Sequence, residues 1–417
     1  MREPAFAAPG FALRTYLAAT RAIPLAAPWL LRRRLAQGRE DALRWREKLG
    51  VPSQARPEGR LVWLHAVGVG EVMALRGLIK AMGGDLSFLV TSSARSSAEV
   101  FGANLPARTR HQYLPLDAPG YLARFMDHWR PGLSIWAEQD LWPGAVMAAD
   151  ARGIPLALVN ARMNDAAFKR RMRVGALYRD LFARFAMVTA QDADTARHLT
   201  TLGARGVQVT GSLKAAAPPL AVDPAMLALM QAVLGGRRVW LAASTHAGDE
   251  AVALEAQRRI LTDDPGACLI VVPRVPGRAA DVAAAAQGLP VTLRSRGAMP
   301  GAGVYISDTF GELGLWYRLA PVALVGGGFG IGGHNPWEAA QLGCAILHGR
   351  GVQNFTHDYK ALHGESAAIA VTDAASLTAA LNRPDLPQVA ARAQALVARA
   401  EGSLAPLAVA LTAMVRA

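Results

Sequence analysis

Glu71 follows the turn Gly68-Val69-Gly70, which itself ends the apolar run Leu61 to Leu64. A carboxylate in that place can take a proton from a hydroxyl, or it can do no more than stabilise a helix start. Further along, Glu138 and Asp140 follow the run Leu133 to Trp136, and Asn160 and Arg162 follow Pro155 to Val159. A third group stands in the second half: Ser244-Thr245-His246, Pro273-Arg274, Thr309-Phe310-Gly311-Glu312, and the loop Gly326 to Gly333 leading into His334, Asn335 and Glu338. Six glycines in that loop let backbone approach a ligand, and the helix start after it offers N–H donors to an anion. Glu71 and Glu338 each have a plainer reading as first-turn acids of their helices. A dinucleotide fingerprint at Gly68 to Gly70 fails, because Met73 stands where its third glycine belongs and Ser92-Ser93 where its ribose-binding acid belongs.

These residues must be carried by strands and helices in alternation. Val72, Leu75, Leu78 and Ile79 repeat at helical spacing behind Glu71, so a strand, a glycine turn and a helix are expected over 61–80. Phe88 to Val90, Tyr113 to Asp117, Leu133 to Trp136 and Pro155 to Val159 continue the series as short strands. Parallel α/β sheets gather ligands at the carboxyl ends of their strands, where every polar residue named above would fall. Ala215 to Leu220, with Pro218-Pro219, is expected to connect two domains. A second series then begins at Val239 to Ala243 and runs through Leu269 to Val272, Val304 to Ile306 and Val322 to Val325. Thr309 and Glu312 have capping-box spacing, and Asn335, Pro336 and Glu338 suit N-cap, N1 and N3.

The length of 417 residues suits two such domains. Hydrophobic residues make up 52% and aromatics 6%, which favours α/β layers over an aromatic-rich sandwich. Cys268 and Cys344 lack zinc-site spacing and are expected to be reduced, structural thiols. Of the net charge of +13, residues 1–50 supply +6, from ten basic and four acidic side chains. No basic domain with interleaved aromatics accompanies it, so an anionic membrane surface or a phosphorylated substrate is a better partner than nucleic acid. From Phe6 to Leu31 the chain is apolar but broken by Arg14 and Arg21, too short between charges to span a bilayer. Phe11, Tyr16, Leu17, Trp29, Leu30, Leu31 and Leu35, flanked by Arg32-Arg33-Arg34, fit helices lying in the interface. The other reading is an arm packed on its own domain.

Taken together, His65 to Glu71, Glu138 to Pro143, Asn160-Ala161-Arg162, Ser244-Thr245-His246, Pro273-Arg274, Gly311-Glu312-Leu313 and Gly332 to Glu338 resemble the 3-deoxy-D-manno-octulosonic acid (Kdo) transferase family. The similarity runs from about Arg44-Trp45-Arg46-Glu47-Lys48-Leu49-Gly50 to Asn354-Phe355. It implies an α/β fold of the GT-B type, two Rossmann-like domains facing across a cleft. It also implies inverting, metal-independent transfer of Kdo from CMP-Kdo to a lipid A precursor, with no cofactor, at the cytoplasmic face of a bacterial inner membrane. The expected parts are a membrane arm over 1–40, an acceptor domain over 41–212 and a CMP-sugar domain over 213–417, whose last helix can pack back on the first domain. Glu71 is the implied catalytic base. Gly70, Glu138, Asp140, Asn160 and Arg162 fall on the acceptor side, and Ser244, Thr245, His246, Arg274, Thr309, Gly311, Glu312, Gly332, Gly333, His334, Asn335 and Glu338 on the donor side. The chain departs from the family pattern at Gly68, usually Ser, at Val275, often His, and at Gln139-Asp140, where a second Glu is usual. A GT-B transferase using a UDP-sugar and a membrane-associated paralogue without activity are the alternatives.

Overall fold

The computed structural model describes residues 8–102, 105–138 and 140–416. Phe6 and Gln139 therefore lie outside the described residues. Two compact units form: Met1–Ala217 with Ala400–Ala417, and Pro218–Arg399. Leu213 to Ala217, placed with the second domain by the sequence reading, fold with the first unit.

The first unit carries strands β1 (Leu61–His65), β2 (Ser87–Ser92), β3 (Thr109–Tyr113), β4 (Leu133–Ala137), β5 (Leu156–Ala161), β6 (Met187–Ala190) and β7 (Gln208–Val209). They form one parallel sheet in the order β3-β2-β1-β4-β5-β6-β7, so the chain reverses direction across the sheet between β1 and β4. Strands buried on both faces read as continuous apolar runs, which is why β1, β2, β4 and β5 were visible in the sequence. The apolar run Tyr113 to Leu116 proves to be the end of β3 and the loop after it. Helix Val69–Met82 packs Val72, Leu75, Leu78 and Ile79 into the core. Its Gly77 has no room for a side chain, since a Cβ there would meet the Ala216 carbonyl oxygen at 2.6 Å. The connecting segment is thus pressed onto the helix that carries Glu71.

The second unit repeats the plan with β8 (Val239–Thr245), β9 (Cys268–Pro273), β10 (Val291–Leu293), β11 (Gly303–Ile306), β12 (Val322–Val325), β13 (Ala345–Gly349) and β14 (Ala368–Val371). Its parallel order is β10-β11-β9-β8-β12-β13-β14. The helix Leu386–Ala413 starts in this unit and ends in the first. It is long and apolar enough to cross a membrane by length and composition, yet Leu404, Leu407, Ala408 and Leu411 are core residues of the first unit.

The N-terminal arm forms helices Phe11–Ala19 and Ile23–Ala36. Leu13 and Leu31 are buried, Leu17 packs on the core, and Tyr16 donates a hydrogen bond to Asp117 Oδ2 at 2.7 Å. Asp117 also accepts from the N–H groups of Gly144 and Ala145, both at 2.8 Å, which caps helix Pro143–Asp150. Tyr16, Leu17 and Leu31 therefore face inward rather than toward lipid. Phe11, Leu25, Trp29 and Leu30 remain exposed, with the Trp29 ring under the Arg33 guanidinium at 5.8 Å.

Candidate active site

Glu71 sits in the first turn of its helix, and its Oε2 accepts from the N–H groups of Val67 at 3.0 Å and Gly68 at 3.2 Å. Those bonds and the helix dipole favour the ionised form. They are outweighed: burial, then the negative charge of Glu138, push the Glu71 carboxyl up to about 7, with Lys214 opposing. A carboxyl held near neutrality is suited to proton abstraction at physiological pH. Gly70, the next residue toward the turn, is exposed, and a Cβ there would meet nothing within 4 Å.

Glu138 directly follows β4 and is 5% exposed, with φ at 62°. That left-handed backbone costs on the order of 1–3 kcal/mol for a residue other than glycine and is held because its surroundings over-determine it. Its N–H donates to the Val159 carbonyl at 3.1 Å, and Lys214 Nζ lies 2.8 Å from its Oε1. Lys214, 8% exposed, was assigned no role in the sequence reading. Its position is set by Asn160, whose Oδ1 accepts the Leu213 N–H at 2.9 Å. Asn160 is itself at φ 54°, where the β5–β6 register shifts. The amide thus fastens the chain that delivers the lysine. Arg162 follows directly on β5, and Asp140 is exposed in the loop after β4. Glu71, Glu138 and Lys214 act on one another electrostatically; Asp140 takes no part in that set.

On the carboxyl edge of the second sheet, His246 Nε2 and His334 Nε2 approach to 3.0 Å with the rings stacked. Burial, then His246 and Arg274, lower His334 to about 4, so it is neutral at pH 7. Asp249, which the sequence reading passed over, joins the two segments. Its carboxylate accepts from the N–H groups of His246 at 2.9 Å, Gly327 at 2.7 Å and Phe329 at 3.2 Å. Its sequence signal was the position three residues beyond His246, the N3 place of helix Ala247–Asp263.

Several residues turn out to be committed to the fold. Thr245 is fully buried with its hydroxyl donating to Glu250 at 3.2 Å, and Ser244 occupies a register shift at φ 55°. Thr309 and Glu312 do not form the expected capping box. Helix Leu313–Leu319 begins after Glu312, whose carboxylate is held by Thr309 Oγ1 and by Arg294 at 2.7 Å. Gly311 between them takes φ 86°. The cap at Glu338 is also shifted by one residue, because Pro336 occupies the N-cap of helix Trp337–Gln341. Asn335 still caps, accepting from Trp337 N–H at 3.2 Å, and its amide donates to Glu338 Oε1 at 3.2 Å. Burial pushes the Glu338 carboxyl up, opposed by Asn335 and by Arg274.

The glycine loop is largely filled by the protein itself. A Cβ at Gly326 would lie 2.5 Å from the Ser244 carbonyl oxygen, and one at Gly328 would lie 2.5 Å from Gly349 N. Gly332 and Gly333 are buried against Asn354 and Val352, whereas Gly330 is open. Most of these glycines are required by close passage of backbone over backbone. Among the described residues, no group of three or more His, Cys, Asp or Glu side chains is placed to hold a metal ion.

Residues 43–217 match the profile of the 3-Deoxy-D-manno-octulosonic-acid transferase (kdotransferase) family. A probable mitochondrial 3-deoxy-D-manno-octulosonic acid transferase of Arabidopsis thaliana is 35% identical over 369 residues, 84% of this chain and 83% of that protein. The 3-deoxy-D-manno-octulosonic acid transferase of Bordetella pertussis is 34% identical over 78% of this chain and 76% of its own. In backbone, UDP-GlcNAc 2-epimerase from Neisseria meningitidis superposes with a TM-score of 0.58 at 13% identity, over 85% of this chain and 99% of that one, a likeness of fold alone. Two parallel α/β units of the GT-B type, a carboxyl group poised near neutrality after β1 and this extent of sequence identity have one reading: the chain belongs to the 3-deoxy-D-manno-octulosonic acid transferase family of glycosyltransferases.

Proposed function

We propose that the chain transfers Kdo from CMP-Kdo to a lipid A precursor of the lipid IVA type, by an inverting displacement without a metal and with Glu71 as general base. The reading rests on the Glu71 carboxyl, turned by two backbone N–H groups and raised to about 7. In the step, Glu71 takes the proton of an acceptor hydroxyl as that oxygen bonds to the anomeric carbon of Kdo. The bond from that carbon to the CMP phosphate breaks, and the phosphate keeps the electron pair. The first unit is assigned the acceptor, with Gly70 leaving space beside the base and Asn160 and Arg162 at the same sheet edge. The second is assigned the donor: Arg274 supplies positive charge, while His334, Asn335 and Glu338 offer polar partners to the nucleotide.

Incubating the protein with CMP-Kdo and a tetra-acylated lipid A precursor, then weighing the lipid products, tests the whole reading; an unchanged lipid mass defeats it. A narrower expectation concerns the donor. CMP should bind the full chain with the same affinity, within about twofold, in EDTA as in Mg²⁺, because side chains and backbone replace a metal bridge. Calorimetric titration in both buffers decides it, and affinity lost in EDTA would demand a cation.

The same reading places the protein at the cytoplasmic face of the bacterial inner membrane, peripherally attached through the arm. Phe11, Leu25, Trp29 and Leu30 are exposed beside Arg32 and Arg33, the pattern of a helix lying in the headgroup region. Binding to anionic vesicles should weaken as salt rises, and should fall by at least tenfold when Leu25 and Trp29 are both changed to Ser. Co-sedimentation at two salt concentrations measures this; salt-independent binding unchanged in the variant would remove the arm from the account.

A further inference from the structure

After Arg162 the chain forms a short helical hairpin, helix Asp165–Met172 followed by helix Gly175–Phe182. Its base is fixed. His198 Nδ1 lies 3.0 Å from the Met163 carbonyl oxygen, the Phe168 ring stacks on His198 at 4.3 Å, and Asn164 caps the first helix. Four cations lie together near its tip, but they are not equivalent. Arg171 turns inward, 6% exposed, with its guanidinium 5.4 Å from the centre of the Tyr178 ring. Lys169, Arg170 and Arg173 are exposed, and so are the apolar side chains of Met172 at 39% and Val174 at 54%. Cations in a last helical turn suit the helix dipole and need no other cause. Met172 and Val174 have no such reason to face water.

We propose that this tip, Lys169 to Val174, is a second lipid-docking element, with Met172 and Val174 entering the headgroup region of an anionic bilayer and Lys169, Arg170 and Arg173 on its phosphates. The proposal rests on the membrane attachment argued above and extends it from one contact to two. The two contacts belong to one body. Gly10 N–H, at the head of the arm, donates to Asp180 Oδ2 at 2.7 Å, and Leu17 packs in the same cluster as Leu177 and Tyr178. A rigid pair of contacts fixes the angle at which the protein meets the bilayer, which one helix lying in the interface does not. Because the hairpin starts three residues after Arg162, seating its tip brings the carboxyl edge of the first sheet toward the lipid surface.

The test uses the full chain with Val174→Cys carrying an environment-sensitive fluorophore; both native cysteines are buried. On phosphatidylglycerol vesicles its emission should move to shorter wavelength, and it should not move on phosphatidylcholine vesicles. Changing Lys169, Arg170 and Arg173 together to Glu should weaken vesicle binding on the order of 10²-fold. A label at Val409→Cys, 71% exposed, serves as the control. Vesicle binding by sedimentation with the Val174 label still in water overturns the tip alone, and an equal shift at Val409 overturns it as general adsorption. Failure to bind vesicles at all overturns both the tip and the membrane reading.

Discussion

Glu71→Gln should leave a folded protein whose Kdo transfer is lower by at least 10²- to 10⁴-fold, the usual contribution of a general base. Glutamine can accept a bond from Val67 or Gly68 but cannot take a proton from a hydroxyl. The wild-type rate should fall about tenfold per pH unit below about 7, where Glu71 is protonated. Stability runs the other way. The folded carboxyl sits above its ordinary value of 4.5, so the folded chain keeps a proton that the unfolded chain releases between about 4.5 and 7. The stability so gained is present below 4.5 and is lost as pH rises through 7. The Gln variant avoids that loss, so at pH 8 it should melt no lower than wild type. Transfer near the wild-type rate, or a fall in melting temperature matching the fall in activity, would reduce Glu71 to a helix cap.

Lys214→Met should be the most destabilising single change at the site. It leaves Glu138 buried without its cation, a loss of about 3–5 kcal/mol. The double variant Lys214→Met with Glu138→Gln should recover most of that loss, since no charge then remains unpaired. Activity separates the two roles. Glu138→Gln removes a charge that raises Glu71, so the acid limb of the rate should move to lower pH. Denaturant melts of the four proteins supply the cycle; single losses below about 1 kcal/mol that simply add would show that the pair is not coupled.

Much of this could be read from the sequence because it is local. A strand, a turn and the first helical turn behind it occupy consecutive residues, so Glu71, Glu138 and Asn160 could be placed on one sheet edge from apolar runs alone. Lys214 could not, because its partner lies three strands earlier in the chain and the lysine sits in a stretch that reads as a connection. Thr309 and Glu312 misled for the same reason: their spacing suits a cap, but Arg294, from another loop, claims the carboxylate. Asp249 was hidden by its own ordinariness as a first-turn acid. The arm was half legible, since its composition announces an amphipathic helix while the Tyr16 to Asp117 bond and the burial of Leu13 and Leu31 show which face is inward.

The crowding of Gly326 and Gly328 bears on how this protein's history would be written in its relatives. Those positions should resist replacement in any descendant that still folds, whatever it does with a sugar nucleotide, so invariance there would record architecture. Gly70 carries the opposite signature. Among the described residues no neighbour forbids a side chain there, and alanine would favour the helix, so drift away from glycine should be easy wherever the transfer reaction has been given up.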